Sequence, residues 1–212
     1  MSTPTAVQPA GFVIDRVSRG DYESLLDWIG DRPIRVNYDR GALELMSPST
    51  EHEFAKDGLI TLLKLLALGL DQAIRGGGSP TLRSPMADRG LEPGACFWIS
   101  HEPAMRQKLT WDAAIDPPPD LVIEVERSRT VLDRLEILAA LGIPEVWRFD
   151  GQTLRILTLQ PDGTYAESCE SPSFPGVPIG RVTDFVGKVA DQGETAVMRD
   201  FLAWIQAGFP AP

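Results

Sequence analysis

The sequence predicts an α/β fold in which a central mixed β-sheet is flanked by helices, and three observations carry that reading. Residues 121–125, Leu-Val-Ile-Glu-Val, form a near-continuous apolar run of the kind found in strands buried on both faces. Apolar residues at helical spacing, first Phe54, Leu59, Leu62, Leu63, Leu66 and Leu70, then Leu132, Leu135, Leu138 and Leu141, bracket that run. The order around its far end is strand, helix, strand, with Gly142 and Pro144 as the punctuation between the last two.

Taken in order, Tyr22, Leu25, Leu26 and Ile29 predict a short helix over 21–29, closed by Gly30. Strands over 34–38 and 42–46 flank Asp39-Arg40-Gly41, a hairpin with Gly at the turn, so helix and hairpin together form an N-terminal addition to the core. The long helix begins after Ser47-Pro48-Ser49, with Thr50 and Glu53 as its capping box, or earlier at Ser47 with Pro48 behind it, and Gly76-Gly77-Gly78 marks its end. Residues 81–91 read as irregular, and 95–99 as an aromatic strand. Pro117-Pro118-Pro119 forces an extended approach to the 121–125 strand. A helix over 132–141, a strand over 145–149, an Asp150-Gly151 hairpin and a strand over 154–159 follow. Pro161-Asp162-Gly163 is a turn, 171–180 a loop, and 196–207 a C-terminal helix with Val197, Phe201, Leu202 and Ile205 on one side. Residues 1–20 are expected to be a flexible N-terminus, and 21–212 a single domain.

Composition sets outer limits. Twenty Lys+Arg against 30 Asp+Glu give a net charge of −10, which excludes a strongly basic nucleic-acid wrapper. With 43% hydrophobic residues and a mean hydropathy of −0.09, the chain has enough apolar surface to bury a core and is not an acidic disordered tail. Of the cations, four are lysines and the rest arginines, the side chain that grips phosphates and carboxylates in a bidentate way. Two cysteines, Cys96 and Cys169, make neither a disulfide framework nor a zinc site and fit a reducing, cytoplasmic setting. Residues 1–11 lack the charged and apolar regions of a signal peptide. The longest apolar stretch, 59–70, contains Lys64 and falls short of the roughly 20 residues that span a bilayer, so no membrane role is expected.

The residue that demands explanation is Glu124, an acid inside a buried strand, which is costly unless paired, protonated or bound to metal. Alternation places Asp120, Val122, Glu124 and Glu126 on one face. Glu124 and Glu126, about 6.6 Å apart along the strand, can converge on one cation, whereas Asp120 lies about 13 Å from Glu124. Hard divalent ions such as Mg2+ are held by one or two carboxylates with waters and substrate phosphates, an arrangement suited to phosphodiester hydrolysis. The competing reading pairs Glu124 with Arg134 or Arg148, sends Glu126 to water, and has Asp120 cap a turn. His52 reads as a helix-start surface residue or as a general base or a support for one, His101 as exposed, Cys96 as a small buried hydrophobe, and Trp111 and Trp147 as core. Arg83, Arg89, Arg127 and Arg129 either line a phosphate groove or are solvated.

Pro119-Asp120-Leu-Val-Ile-Glu124-Val, Leu132-Asp133-Arg134-Leu-Glu-Ile, and Leu141-Gly142-Ile-Pro144-Glu145-Val-Trp147-Arg148-Phe-Asp150 together resemble the signature block of the Uma-two restriction endonuclease family, a branch of the PD-(D/E)xK nucleases. The stretches 41–53 and 89–98 are similar to it as well, so that the likeness covers about residues 21–175. The resemblance implies a restriction-endonuclease-like core and cleavage of nucleic acid, DNA by preference, with Mg2+ as cofactor and Mn2+ as substitute. It also implies site roles for Glu124 as the core acid, Asp120 on the same strand, Glu51 and His52 on the first core helix, and Arg134 at the position of the family's lysine. Metal would fall to Glu124, Asp120 and Glu126. A homodimer is the expected assembly, the amphipathic C-terminal helix being a candidate interface. Two departures stand out. The family's Glu-Pro-Asp reads Glu92-Pro93-Gly94, removing a ligand, and arginine at 134 cannot readily lose a proton to act as a base. These departures imply a second reading, a nuclease-fold protein that binds nucleic acid or assembles as a dimer without cleaving.

Overall fold

In the computed structural model, residues 11–30, 32–47, 49–126 and 131–209 are described, and they form two sheets flanked by six helices. Residues 1–10, expected to lack a signal peptide, and two of the candidate phosphate-groove arginines, Arg127 and Arg129, lie outside the described residues.

The central sheet is mixed, as the sequence predicts. Its order is β11 (Tyr165–Ser168), β10 (Leu154–Leu159), β9 (Glu145–Phe149), β8 (Leu121–Val125), β7 (Ala95–Trp98) and β4 (Arg75–Gly78), with β8 and β9 parallel and the remaining pairs antiparallel. The middle strand β8 is buried along its whole length. Leu121, Ile123 and Val125 face α2 (Thr50–Gly69) through Leu59, Leu62, Leu63 and Leu66. Val122 faces α4 (Arg134–Ala140), where Ile137, Leu138 and Leu141 meet Val146. Glu124, which alternates with its apolar neighbours, therefore emerges on the α4 side.

The hairpin β2 (Arg35–Asp39) and β3 (Ala42–Met46) belongs to a second, antiparallel sheet, whose order is β1 (Gly11–Ile14), β3, β2, β6 (Arg89–Leu91) and β5 (Leu82–Ser84). Arg40 and Gly41 both have positive φ, the turn that matches the twist of a two-residue hairpin. One face of this sheet packs on α1 (Arg19–Ile29), where the rings of Tyr22 and Tyr38 stack 4.6 Å apart. Its opposite face carries Arg35, Asn37 and Glu44, which are buried and polar.

Several boundaries differ from expectation for identifiable reasons. Helix α1 starts earlier, because Ser18 and Asp21 exchange the two hydrogen bonds of a capping box. Helix α2 is capped by Ser49, whose hydroxyl accepts from the His52 N–H; the predicted Thr50–Glu53 box does not form, and the Glu53 carboxylate turns to Arg35 and Lys56 instead. The glycine triplet does not end α2. The helix stops at Gly69, where a Cβ would lie 2.8 Å from Ile205, and the triplet builds β4, with Gly77 pressed on Cys96 and Trp98. The "irregular" stretch 81–91 holds the short strands β5 (Leu82–Ser84) and β6 (Arg89–Leu91). Residues 11–20, expected to be flexible, carry β1 (Gly11–Ile14), paired with β3, and the Ser18 cap. A one-turn helix α3 (Glu102–Met105) and the helix α5 (Val182–Gln192) are additional, and the last helix, α6, spans Glu194–Gln206. Val197, Phe201, Trp204 and Ile205 of α6 are buried in the core with α2 and α5, so the face expected at a dimer interface is spent within the chain.

Candidate functional site

Glu124 reaches the surface of the β8–α4 layer beside the first residue of α4. Asp133 caps that helix by accepting from the N–H groups of Leu135 and Glu136, which fixes where Arg134 begins its side chain. Arg134 then closes on Glu124: Nη2 lies 2.8 Å from Oε1 and 2.9 Å from Oε2, and Nε 3.2 Å from Oε2. Both side chains are about nine-tenths buried. The guanidinium also donates from Nη1 to Asn37 Oδ1 at 2.6 Å and from Nη2 to the Glu92 carbonyl at 2.9 Å. Asn37 passes the network on, donating to Glu44 Oε2 at 3.0 Å, and the other Glu44 oxygen accepts the Val131 N–H at 2.7 Å. The two sheets are thus joined by a buried polar chain in which every member has a partner.

Beside this chain lies a second cluster at the start of α2. A groove of about 460 Å³ is lined by Arg32, Arg35, Lys56, Glu53 and Glu92 among others. Arg35 donates to Glu53 at 2.9 Å and lies 3.0 Å from His52 Nε2. Arginine has only donors, so Nε2 accepts and the His52 proton sits on Nδ1, an assignment made from the partner. Burial, and next the Arg35 charge, hold the His52 pKa down at about 4. Burial pushes the Glu92 carboxyl above its usual range, with Arg35, the Thr81 hydroxyl and Arg134 partly offsetting it. Glu53 goes the other way, because Lys56 and Arg35 outweigh its burial.

The remaining sequence-predicted residues are dispersed. Glu126 shares a groove of about 330 Å³ with Glu124, Arg134 and Arg148, but it pairs with Arg148 at 2.6 Å rather than pointing free to water. Asp120 is engaged at the opposite end of β8. Its carboxylate accepts the N–H groups of Ile99 (2.6 Å) and His101 (3.1 Å) and the Ser100 hydroxyl (2.5 Å), and lies 2.7 Å from His101 Nδ1. Burial works to raise its pKa, and these hydrogen bonds outweigh that and lower it. The turn-capping alternative describes this arrangement. Glu51 lines a different groove, against α5, while its neighbour His52 turns to Arg35. Arg83 is exposed, and Arg89 pairs with Asp39 at 2.7 Å. Trp147 is core, Trp111 is partly buried, and burial pushes the Cys96 thiol up to about 12.

The donor set does not fit Mg2+. A metal-binding carboxylate needs an oxygen facing an open coordination position, yet both Glu124 oxygens face a permanently charged guanidinium. Glu126, Asp120 and Glu44 are likewise occupied. At the position of the family's missing aspartate, a Cβ on Gly94 would stand 2.4 Å from the Ile123 carbonyl oxygen, so the backbone has closed on β8 where a ligand would project. Among the described residues, no group of three or more His, Cys, Asp or Glu is placed to hold a metal.

Sequence reasoning missed Arg35, Asn37 and Glu44 as site residues. The signal that singled out Glu124, an acid between apolar strand neighbours, is equally present in Ala42-Leu-Glu44-Leu-Met46. Arg35 and Asn37 alternate with Val36 and Tyr38 on the polar face of β2. No described helix is long and apolar enough to cross a membrane.

Comparison with known proteins agrees with this architecture. No curated protein matches the chain. The family model Uma2, described as "Putative restriction endonuclease", matches residues 21–176, a span that runs from within α1 through β11, leaves out β1, and includes Glu124 and Arg134. With well over half its length inside that match, and with a mixed α/β architecture consistent with a restriction-endonuclease-like fold, the chain belongs to the Uma2 family.

Proposed function

We propose that this chain is a nuclease-fold protein that binds the phosphate backbone of nucleic acid, DNA by preference, without cleaving it through a Mg2+ centre. The observation that carries this reading is the Arg134 clamp on both oxygens of Glu124, in place of a lysine beside an open carboxylate. Family membership supports the nucleic-acid partner. The cations Arg32, Arg35 and Lys56 gathered in one groove support the place of contact. Arginine suits that work, since its guanidinium binds phosphate oxygens without any change of protonation.

Two assays test the reading. Supercoiled plasmid incubated with Mg2+ or Mn2+ should remain intact. Cleavage that disappears in Glu124→Ala would overturn the proposal in favour of a Mg2+-dependent endonuclease, the reading that family membership by itself favours. A labelled duplex should bind in low salt and be released as salt rises. The variant Arg32→Ala with Lys56→Ala should flatten the slope of log K against log salt by about 0.9 for each phosphate that is no longer neutralised. An unchanged slope removes the groove as the contact site.

A further inference from the structure

The third groove, the one against α5 that Glu51 lines, is large and apolar. It measures about 610 Å³, within the roughly 300–1,000 Å³ of small-molecule sites. Phe54, Ala55, Phe149, Val186, Val189 and Met198 supply its walls, and Phe54 is 72% exposed although it sits beside them. Two glycines in the interiors of α2 and α5, Gly58 and Gly187, face it. Some glycines of the fold are required by contact: a Cβ would press on Ile205 at Gly69, on Tyr22 at Gly90 and on the Ile123 carbonyl at Gly94. At Gly58 and Gly187 nothing lies within 4 Å of where a Cβ would be. Glycine is among the poorest residues for a helix interior, and here no neighbour asks for it. Its effect is to keep the groove wide.

The charge of the groove selects the occupant. Glu51, Asp57 and Glu194 line it, and no Lys, Arg or His is among its described lining residues. Carboxylates beside aromatic faces attract a cation and repel phosphate. We infer that this groove binds a small organic cation with an apolar body. The site is separate from the nucleic-acid reading above: its charge is opposite and it needs neither Glu124 nor Arg134.

Tetraphenylphosphonium and tetraphenylborate, which share a shape and differ in the sign of their charge, test this by calorimetry on the full chain. The phosphonium should bind about tenfold more tightly than the borate. Gly58→Leu and Gly187→Leu should each fill the space and weaken phosphonium binding about tenfold, while holding or raising Tm, because leucine is the better helix former. Glu51→Gln combined with Asp57→Asn and Glu194→Gln should erase the preference for the cation. Equal binding of the two ions, or wild-type affinity in both leucine variants, overturns the inference. Failure of the phosphonium to saturate the protein at millimolar concentration also overturns it and leaves the groove to a polypeptide partner.

Discussion

Arg134 and Glu124 stabilise each other only as a pair, because both are buried, Glu124 accepts from the guanidinium, and Arg134 has its remaining donors held by Asn37 and the Glu92 carbonyl. Removing one partner strands the other, and the cost of an uncompensated buried charge is about 3–5 kcal/mol. Arg134→Ala should therefore lower the unfolding free energy by about that amount in urea titration. The double change Glu124→Leu with Arg134→Leu should recover most of the loss; a single-variant loss within error of zero would show that the clamp is not closed in solution. His52 makes a separate prediction. Its pKa is about 4 in the fold against an ordinary value near 6.5, so above 6.5 both folded and unfolded chains carry it neutral. As pH falls from 6.5 toward 4, the unfolded chain takes up a proton that the folded chain refuses, and stability drops across that window. His52→Gln should reduce the fall in urea midpoint between pH 6.5 and 4.5, and a pH dependence equal to wild type would contradict the burial of its ring.

Among the elements, the close approach of the segment before β7 to β8 decides what position 94 tolerates. Gly94→Ala should cost about 1–3 kcal/mol, since the Cβ meets a backbone carbonyl that cannot swing aside. Gly94→Asp should lose stability likewise and gain no Mg2+ affinity. Gly58→Ala provides the contrast: the space is open, and the substitution should add about 0.5–1 kcal/mol. Equal effects at the two sites in urea titration would contradict the packing described. The elements that can be read from sequence are those whose burial is periodic. Helix α2 follows its leucines, β8 its apolar run, and the β2–β3 hairpin its glycine turn. Strands β4 to β6 escape such a reading because they are only three or four residues long, and β4 and β6 also carry glycine and pair with strands distant in sequence. Helix α5 does carry a signal in Val182, Phe185, Val186 and Val189, interrupted by Gly187.

For the molecule as a whole, a net charge of −10 leaves little room for general attraction to nucleic acid, so the binding proposed above would rest on a local set of cations and fall with salt by about 0.9 in log K per log salt for each phosphate they neutralise. The site is legible in part for the same reason the fold is. Glu124 and Arg134 stand out because they fall within one strand–helix–strand unit, whereas Asn37 reaches Arg134 from the other sheet, nearly a hundred residues away in the chain, with Glu44 bonded behind it. In the proposed reading, the paired charges that join the sheets make Glu124 a structural link rather than a metal ligand. The central claim is that Glu124 is held by Arg134 and is closed to metal. It is tested most directly by anomalous diffraction from a crystal soaked in saturating Mn2+: the account predicts no anomalous peak within bonding distance of Glu124 and an intact Arg134 contact. A peak coordinated by Glu124, with the guanidinium displaced, would contradict it.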